Sequence, residues 1–172
     1  MINGRFLFEP LRKDHDRRTF SCGEGSLDRY LAEQAGQDLK RRASAVFVLV
    51  DVLKGCRIVG FYTLSAASIT LECIPDPLQK KFPRYPDVPV TRLGRLAIDL
   101  EYQGMKLGEL LLIDAISRAY EGSRQVGSTA VVVDAKHEKA CSFYEHYGFI
   151  HFADDHLHLF LPMMSIEQLL HT

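Results

Sequence analysis

The densest chemical content lies between Leu93 and Leu112, in the stretch LGRLAIDLEYQGMKLGELLL. A strand pattern ends near Asp99, Gly104 and Gly108 follow, and a long apolar helix pattern begins at Leu107. The first backbone N–H groups of a helix lack intrahelical partners, and the helix dipole adds positive potential there, so a strand–turn–helix junction of this kind suits an anion. Glycine in the turn lets a pyrophosphate approach the backbone closely. Two glycines without further context are equally compatible with a tight turn that holds nothing.

Other residues with chemical potential read as structure. His151, Asp154, Asp155, His156 and His158 look like metal ligands, but alternation sets His156 and His158 on one face of an exposed late strand, far in sequence from the glycine turn. No metal is expected. Cys22, Cys56, Cys73 and Cys141 are widely spaced with no CxxC pair, which reads as free thiols, with Cys141 a packing residue. Asp99 and Glu101 read as solvated loop acids, so no general base stands out. Basic side chains are plentiful at Arg12, Lys13, Arg17, Arg18, Lys40, Arg41, Arg42, Lys80, Lys81, Arg84 and Arg92. Arg95 differs from these because it interrupts the apolar run Leu93–Ile98, where an arginine needs a specific partner.

The elements that must position these groups follow from periodicity. Residues 5–9 alternate as a short strand ended by Pro10. Ser26, as N-cap, opens a helix with Leu27, Tyr30, Leu31 and Ala35 on one face and Lys40, Arg41 and Arg42 at its end. Val46–Val52 and Ile58–Leu71, joined through a turn at Lys54–Gly55, form an antiparallel hairpin. Five prolines between 75 and 89 demand a loop with at most one helical turn. Val90–Asp99 is a strand and Leu107–Tyr120 a helix apolar on most sides. Ala130–Val133 is a strand covered on both faces, Glu138–Tyr147 a helix stopped by Gly148, and Leu157–Leu161 a last strand before Pro162. The order, roughly βαββ, loop, βαβαββ, predicts a mixed α/β sheet.

A chain of 172 residues, 47% hydrophobic and 25% charged, holds one domain with a real core and excludes disorder and low complexity. With no signal peptide and no run long enough to span a bilayer, it is expected in the cytoplasm. Residues 1–95 hold 16 Lys and Arg against 11 Asp and Glu, and residues 96–172 hold 5 against 11. That split predicts a polarised surface with a different ligand on each side.

The turn Gln103-Gly104-Met105-Lys106-Leu107-Gly108 resembles the pyrophosphate loop of the GNAT superfamily of acetyl-CoA-dependent N-acetyltransferases, Gln/Arg-x-x-Gly-x-Gly/Ala, with Lys106 in place of the middle glycine. A lysine fits there if its backbone keeps helical or bridge-region angles, and its ammonium then pairs with a CoA phosphate. Ala135–Phe149 resembles the family's second motif, a helix ending in Phe-Tyr-x-x-x-Gly-Phe. The resemblance implies a GNAT fold over residues 1–172, with a twisted, mostly antiparallel central sheet of six to seven strands flanked by helices. It also implies acetyl-CoA as co-substrate, Tyr144 as the general acid, and a cofactor set of Leu96, Ala97, Ile98, Gln103, Gly104, Met105, Lys106, Leu107, Gly108, Glu109 and Phe143. By residue type alone Phe143 and Phe149 read as core. Further segments, Phe20–Leu31, Val59–Leu64 and Leu93–Asp99, resemble the toxin-type branch, whose members acetylate the α-amino group of aminoacyl-tRNA and pair with a ribbon-helix-helix antitoxin. That branch implies acceptor binding by Arg95, Arg92, Lys40, Arg41 and Arg42. A homodimer stays an open option, as do acetylation of a small amine or protein N-terminus and a non-catalytic acyl-CoA-binding module.

Overall fold

Aliphatic, β-branched and aromatic residues fill Ala45–Asp51, and this segment forms strand β2, flanked antiparallel by β1 (Phe6–Pro10) and β3 (Arg57–Ile69). In this computed structural model, which describes residues 1–172, the strand order is β1-β2-β3-β4-β5-β7-β6. The remaining strands are β4 (Val88–Ile98), β5 (Ala130–Asp134), β6 (Ile150–His151) and β7 (His158–Pro162). Five α-helices accompany them: α1 (Gly25–Arg29), α2 (Ala35–Arg41), α3 (Leu107–Ser123), α4 (Glu138–His146) and α5 (Met163–Leu170). The sheet is mostly antiparallel, with β4 and β5 a parallel pair. No helix is long and apolar enough to cross a membrane.

The chain divides into two compact units, residues 1–65 with 94–115, and residues 66–93 with 116–172. In the first, Leu31, Ala35, Val46, Val48, Val50, Ile58 and Phe61 form a core with nearly complete burial. The helix expected from Ser26 is present but interrupted by a π-helical turn, Tyr30–Gln34, between α1 and α2. Ser26 is not its cap. Glu24 holds the N-cap position with extended backbone, and its carbonyl accepts the Leu27 and Asp28 N–H groups, while the Asp28 carboxylate turns back to the Cys22 N–H at 2.9 Å. A register shift between β2 and β3 leaves Leu49 opposite Gly60 and Val50 opposite Ile58, so Val59 is an extra, bulged residue. Its carbonyl accepts the Asp99 N–H at 2.9 Å, which anchors the chain leaving β4.

In the second unit Val88, Val90, Ala130, Val132, Phe152 and Phe160 pack with Ile74 and Phe82. Those last two bury the proline-rich segment, which holds one 3-10 element, Asp76–Lys81, as the prolines allow; a second short 3-10 turn, Leu71–Cys73, precedes it. Helix α5 has no counterpart among the expected elements; its two buried residues, Met163 and Ile166, make too short a pattern to register as periodic. His156 precedes β7 and lies in a turn, so it does not share a strand face with His158 as expected.

The charge split between sequence halves does not carry over to the units. The first unit has 13 Lys and Arg against 12 Asp and Glu, and the second 8 against 10. Residues 94–115, which come late in the chain, fold with its N-terminal part, so the acidic and basic sequence halves interleave.

Candidate active site

The turn that opens α3 is exposed from Gln103 to Met105, and Lys106 beside it is exposed as well. Gly104 has φ +85°, and no atom lies within 4 Å of where a Cβ would stand, so the backbone there is open to an approaching group. Lys106 has φ +61°, against the expectation of helical or bridge-region angles. The chain thus keeps a left-handed turn where the pyrophosphate loop it resembles has glycine, at a backbone cost of about 1–2 kcal/mol. Leu107 is buried and fixes the first turn of α3, while Gly108 and Glu109 follow it into the helix. The Gln103 amide donates to the carbonyls of Ile98 at 3.2 Å and Cys22 at 3.3 Å, so this side chain holds the turn in place. Lys106→Ala keeps the turn and removes the ammonium. Where that ammonium pairs with a CoA phosphate, as the resemblance implies, titration calorimetry should show acetyl-CoA binding weakened by up to about fivefold, the value of one exposed charge contact.

Upstream, Leu96 and Ile98 are half-buried and Ala97 is buried at the end of β4. Gly60 explains their closeness to β3, since a Cβ there would stand 2.9 Å from the Ile98 Cδ1, 3.0 Å from the Leu111 Cδ1 and 3.2 Å from the Ala97 carbonyl oxygen. Gly60→Ala should cost about 1–3 kcal/mol in urea unfolding by displacing β4.

Asp99 is not the solvated acid expected. It is 2% exposed and accepts from the Ser21 N–H, the Glu101 N–H and the Arg57 guanidinium at 3.0–3.2 Å. It ties the Ser21 segment to the start of the glycine turn. Glu101 is exposed and pairs with Arg57 at 2.6 Å.

Tyr144 lies in α4, with His137 capping the helix N-terminus through its ring and Gly148 (φ +94°) ending it. Its half-buried ring packs against Phe143 and Phe149, each with centroids 5.3 Å away. Burial alone pushes its phenol up to about 12, so the group stays protonated throughout the physiological range. Phe143 also packs against Tyr147 in an edge contact.

The expected acceptor cations separate into two kinds. Lys40, Arg41 and Arg42 are exposed at the end of α2, where Arg42 takes the left-handed C-cap. Lys40, Arg12, Lys13 and Arg17 rim a groove of about 730 Å³ whose floor includes Leu11, Ala32 and Leu39. Arg92 and Arg95 are instead engaged. The Arg92 guanidinium donates to Asp134 at 2.6 Å, and Asp134 also pairs with His158. The Arg95 guanidinium lies 3.5 Å from the centroid of the Tyr30 ring, whose hydroxyl donates to Asp38 at 2.8 Å. Arg95 therefore has the specific partner its apolar setting required. Nothing in the sequence marked Tyr30 as more than core, because the π turn that presents its ring has no local signature.

Residues 42–151 match the family model of the acetyltransferase (GNAT) domain. Over 155 residues the chain is 37% identical to the tRNA-acetylating toxin of Mycobacterium tuberculosis, covering 90% of each protein. AtaT complexed with acetyl-methionyl-tRNAfMet superposes with TM-score 0.88 at 31% identity, covering 96% of this chain and 99% of that one. A mutant AtaT toxin bound to the C-terminus of the antitoxin AtaR and acetyl-CoA superposes with TM-score 0.82 at 27% identity, covering 98% and 99%.

Proposed function

Because the chain belongs to the acetyltransferase (GNAT) family, we propose that it moves the acetyl group of acetyl-CoA onto the α-amino group of aminoacyl-tRNA, acting as a cytoplasmic toxin that blocks translation. The observation that carries this reading is likeness along almost the whole chain to a tRNA-acetylating toxin and to AtaT complexed with acetyl-methionyl-tRNAfMet. AtaT in complex with the antitoxin AtaR supports an antitoxin partner, which we propose is of the ribbon-helix-helix type. Residues 1–172 would act as one catalytic domain.

Acetyl-CoA supplies an acyl group already activated as a thioester. The open backbone around Gly104 and the exposed Lys106 fit its phosphates, and the N–H groups of Leu96–Ile98 would orient its pantetheine arm, so that holding both substrates together supplies proximity. Tyr144 would give its phenolic proton to the departing sulfur. An aminoacyl amine resembles an α-amino group, with a pKa of about 8, so a sizeable neutral fraction exists without a strong general base. The exposed cations at the end of α2 and around the groove would hold tRNA phosphates, which carry affinity without reading sequence. Arg92 and Arg95 would act through the side chains they engage.

Given acetyl-CoA, the protein should release CoA thiol when charged tRNA is added. Equal release with uncharged tRNA, a polyamine or a peptide amine would overturn the acceptor assignment. Rising salt should raise the KM for aminoacyl-tRNA much more steeply than that for acetyl-CoA, because the first depends on many phosphate contacts. Parallel slopes in the two titrations count against tRNA as the acceptor.

A further inference from the structure

The face of α4 that meets the β6–β7 hairpin carries three potential metal ligands. Glu138, Cys141 and Glu145 are spaced three and four residues apart, which sets them in one row along the helix. Opposite them, His151 ends β6 and His156 lies in the turn before β7, with the two imidazole rings stacked 4.5 Å apart and 6° from parallel. One ligand atom from each of Cys141, His151 and His156 lies within 4.8 Å of the other two.

The second layer of contacts is already the one a ligating histidine needs. The His151 Nδ1 stands 2.6 Å from the His156 carbonyl oxygen, so Nδ1–H donates there and Nε2, which points away from the backbone, is the atom left for a metal once its proton is lost. That Nε2 faces the Glu145 Oε1 at 2.5 Å, and the His156 Nε2 faces the Glu138 Oε2 at 2.9 Å. A proton now lies where a cation would bridge imidazole and carboxylate. The Cys141 Sγ, buried, is 3.7 Å from the His156 carbonyl oxygen.

We propose that Cys141, His151 and His156, with Glu145 as the fourth donor, form a zinc site that ties the β6–β7 hairpin to α4. One thiolate, two imidazoles and a carboxylate are a borderline-soft, tetrahedral set, which suits Zn²⁺ and excludes Mg²⁺ and Ca²⁺. Zinc bonds of about 2.0–2.3 Å place ligand atoms roughly 3.3–3.8 Å apart. Closing from the separations present needs about 1 Å of movement, which His156 can supply because its side chain is 60% exposed. Binding displaces the Cys141 thiol proton and the proton between His151 and Glu145 into solvent, and the two anionic ligands then balance the dication. Tyr144 lies between Cys141 and Glu145 on this helix, so occupancy would clamp the element that carries it.

The sequence hides this site because its thiol lies on a helix and its histidines on a hairpin. Ligand-spacing rules have no purchase on groups that meet only across a packed face, and Asp154, Asp155 and His158 take no part.

The test uses the purified full chain, reduced and stripped of metal, titrated with Zn²⁺ against a chromophoric chelator and separately with Co²⁺. We expect one equivalent of tightly bound zinc, a thiolate-to-cobalt charge-transfer band, visible bands of tetrahedral intensity and a higher Tm with zinc. Cys141→Ser should abolish the charge-transfer band. His156→Ala, at an exposed position where folding is not at stake, should weaken zinc binding by more than the roughly 10- to 100-fold that loss of an outer-shell partner costs, and His171→Ala should leave it unchanged. Equal zinc uptake by wild type and His156→Ala, or a cobalt complex with no thiolate band, overturns the proposal.

Discussion

Tyr144→Phe is expected to lower the rate of acetyl transfer by about 10²- to 10⁴-fold, the usual contribution of a positioned acid, while leaving Tm and acetyl-CoA affinity unchanged. The substitution removes one hydroxyl and keeps the ring contacts with Phe143 and Phe149. A role limited to packing would therefore leave the rate near that of the wild type. The pH profile separates the two readings further. Burial holds the phenol protonated up to about 12, so kcat/KM should climb as the acceptor amine loses its proton near pH 8 and stay flat to pH 10. Tyr144→Phe should show the same ascending limb at a lower plateau. A descending limb between pH 8 and 10 in the wild type would falsify the assignment, because a donor lost in that range cannot be this phenol.

Asp51→Ala should be among the most damaging substitutions for stability. The carboxylate is completely buried and accepts four hydrogen bonds: from the Arg5 Nε and Nη2 at 3.1 and 2.8 Å, the Tyr102 hydroxyl at 2.8 Å and the Leu53 N–H at 3.1 Å. Removing it strands the buried Tyr102 hydroxyl and unpairs a partly exposed guanidinium stacked over Phe6 and Tyr102, and the unsatisfied buried group alone costs about 1–3 kcal/mol. Urea unfolding monitored by circular dichroism measures it, and a loss below about 1 kcal/mol would show the cluster to be replaceable by water. The Arg5 hydrogen bonds hold the Asp51 carboxyl below its usual range, outweighing the opposing effect of burial. A depressed pKa contributes stability that is full above the unfolded value of about 4 and is lost as pH falls through the folded value. Wild-type stability should thus drop in acid below about pH 4, and Asp51→Asn should flatten that drop.

Much of the fold was legible because hydrophobic period depends on neighbours in sequence. The continuous aliphatic run of β5 and the three- and four-residue spacing along α4 fixed those elements from the chain alone. The π turn at Tyr30–Gln34 and the bulge at Val59 left no such trace, since each inserts one residue for reasons of packing against other elements. Lys106 shows the same limit at the scale of one residue: its type argues for a right-handed backbone, yet the turn between β4 and α3 imposes φ +61°.

Side-chain roles divided along the same line. The glycine turn, Tyr144 and Arg95 could be singled out because their chemistry is unusual for their local pattern. Whether Arg92 and Arg95 were free to meet a ligand depended on Asp134 and Tyr30, each more than 40 residues away in the chain. Asp99 looked solvated until the Ser21 and Arg57 segments closed over it. The sequence by itself determined a mixed α/β chain with an anion-binding turn before a long helix, because backbone hydrogen bonding and hydrophobic period are local. Only the tertiary structure decided which charges are engaged, since a charge's partner is set by proximity in space. For the same reason it dissolved the split between a basic and an acidic half, and set one thiol beside two imidazoles.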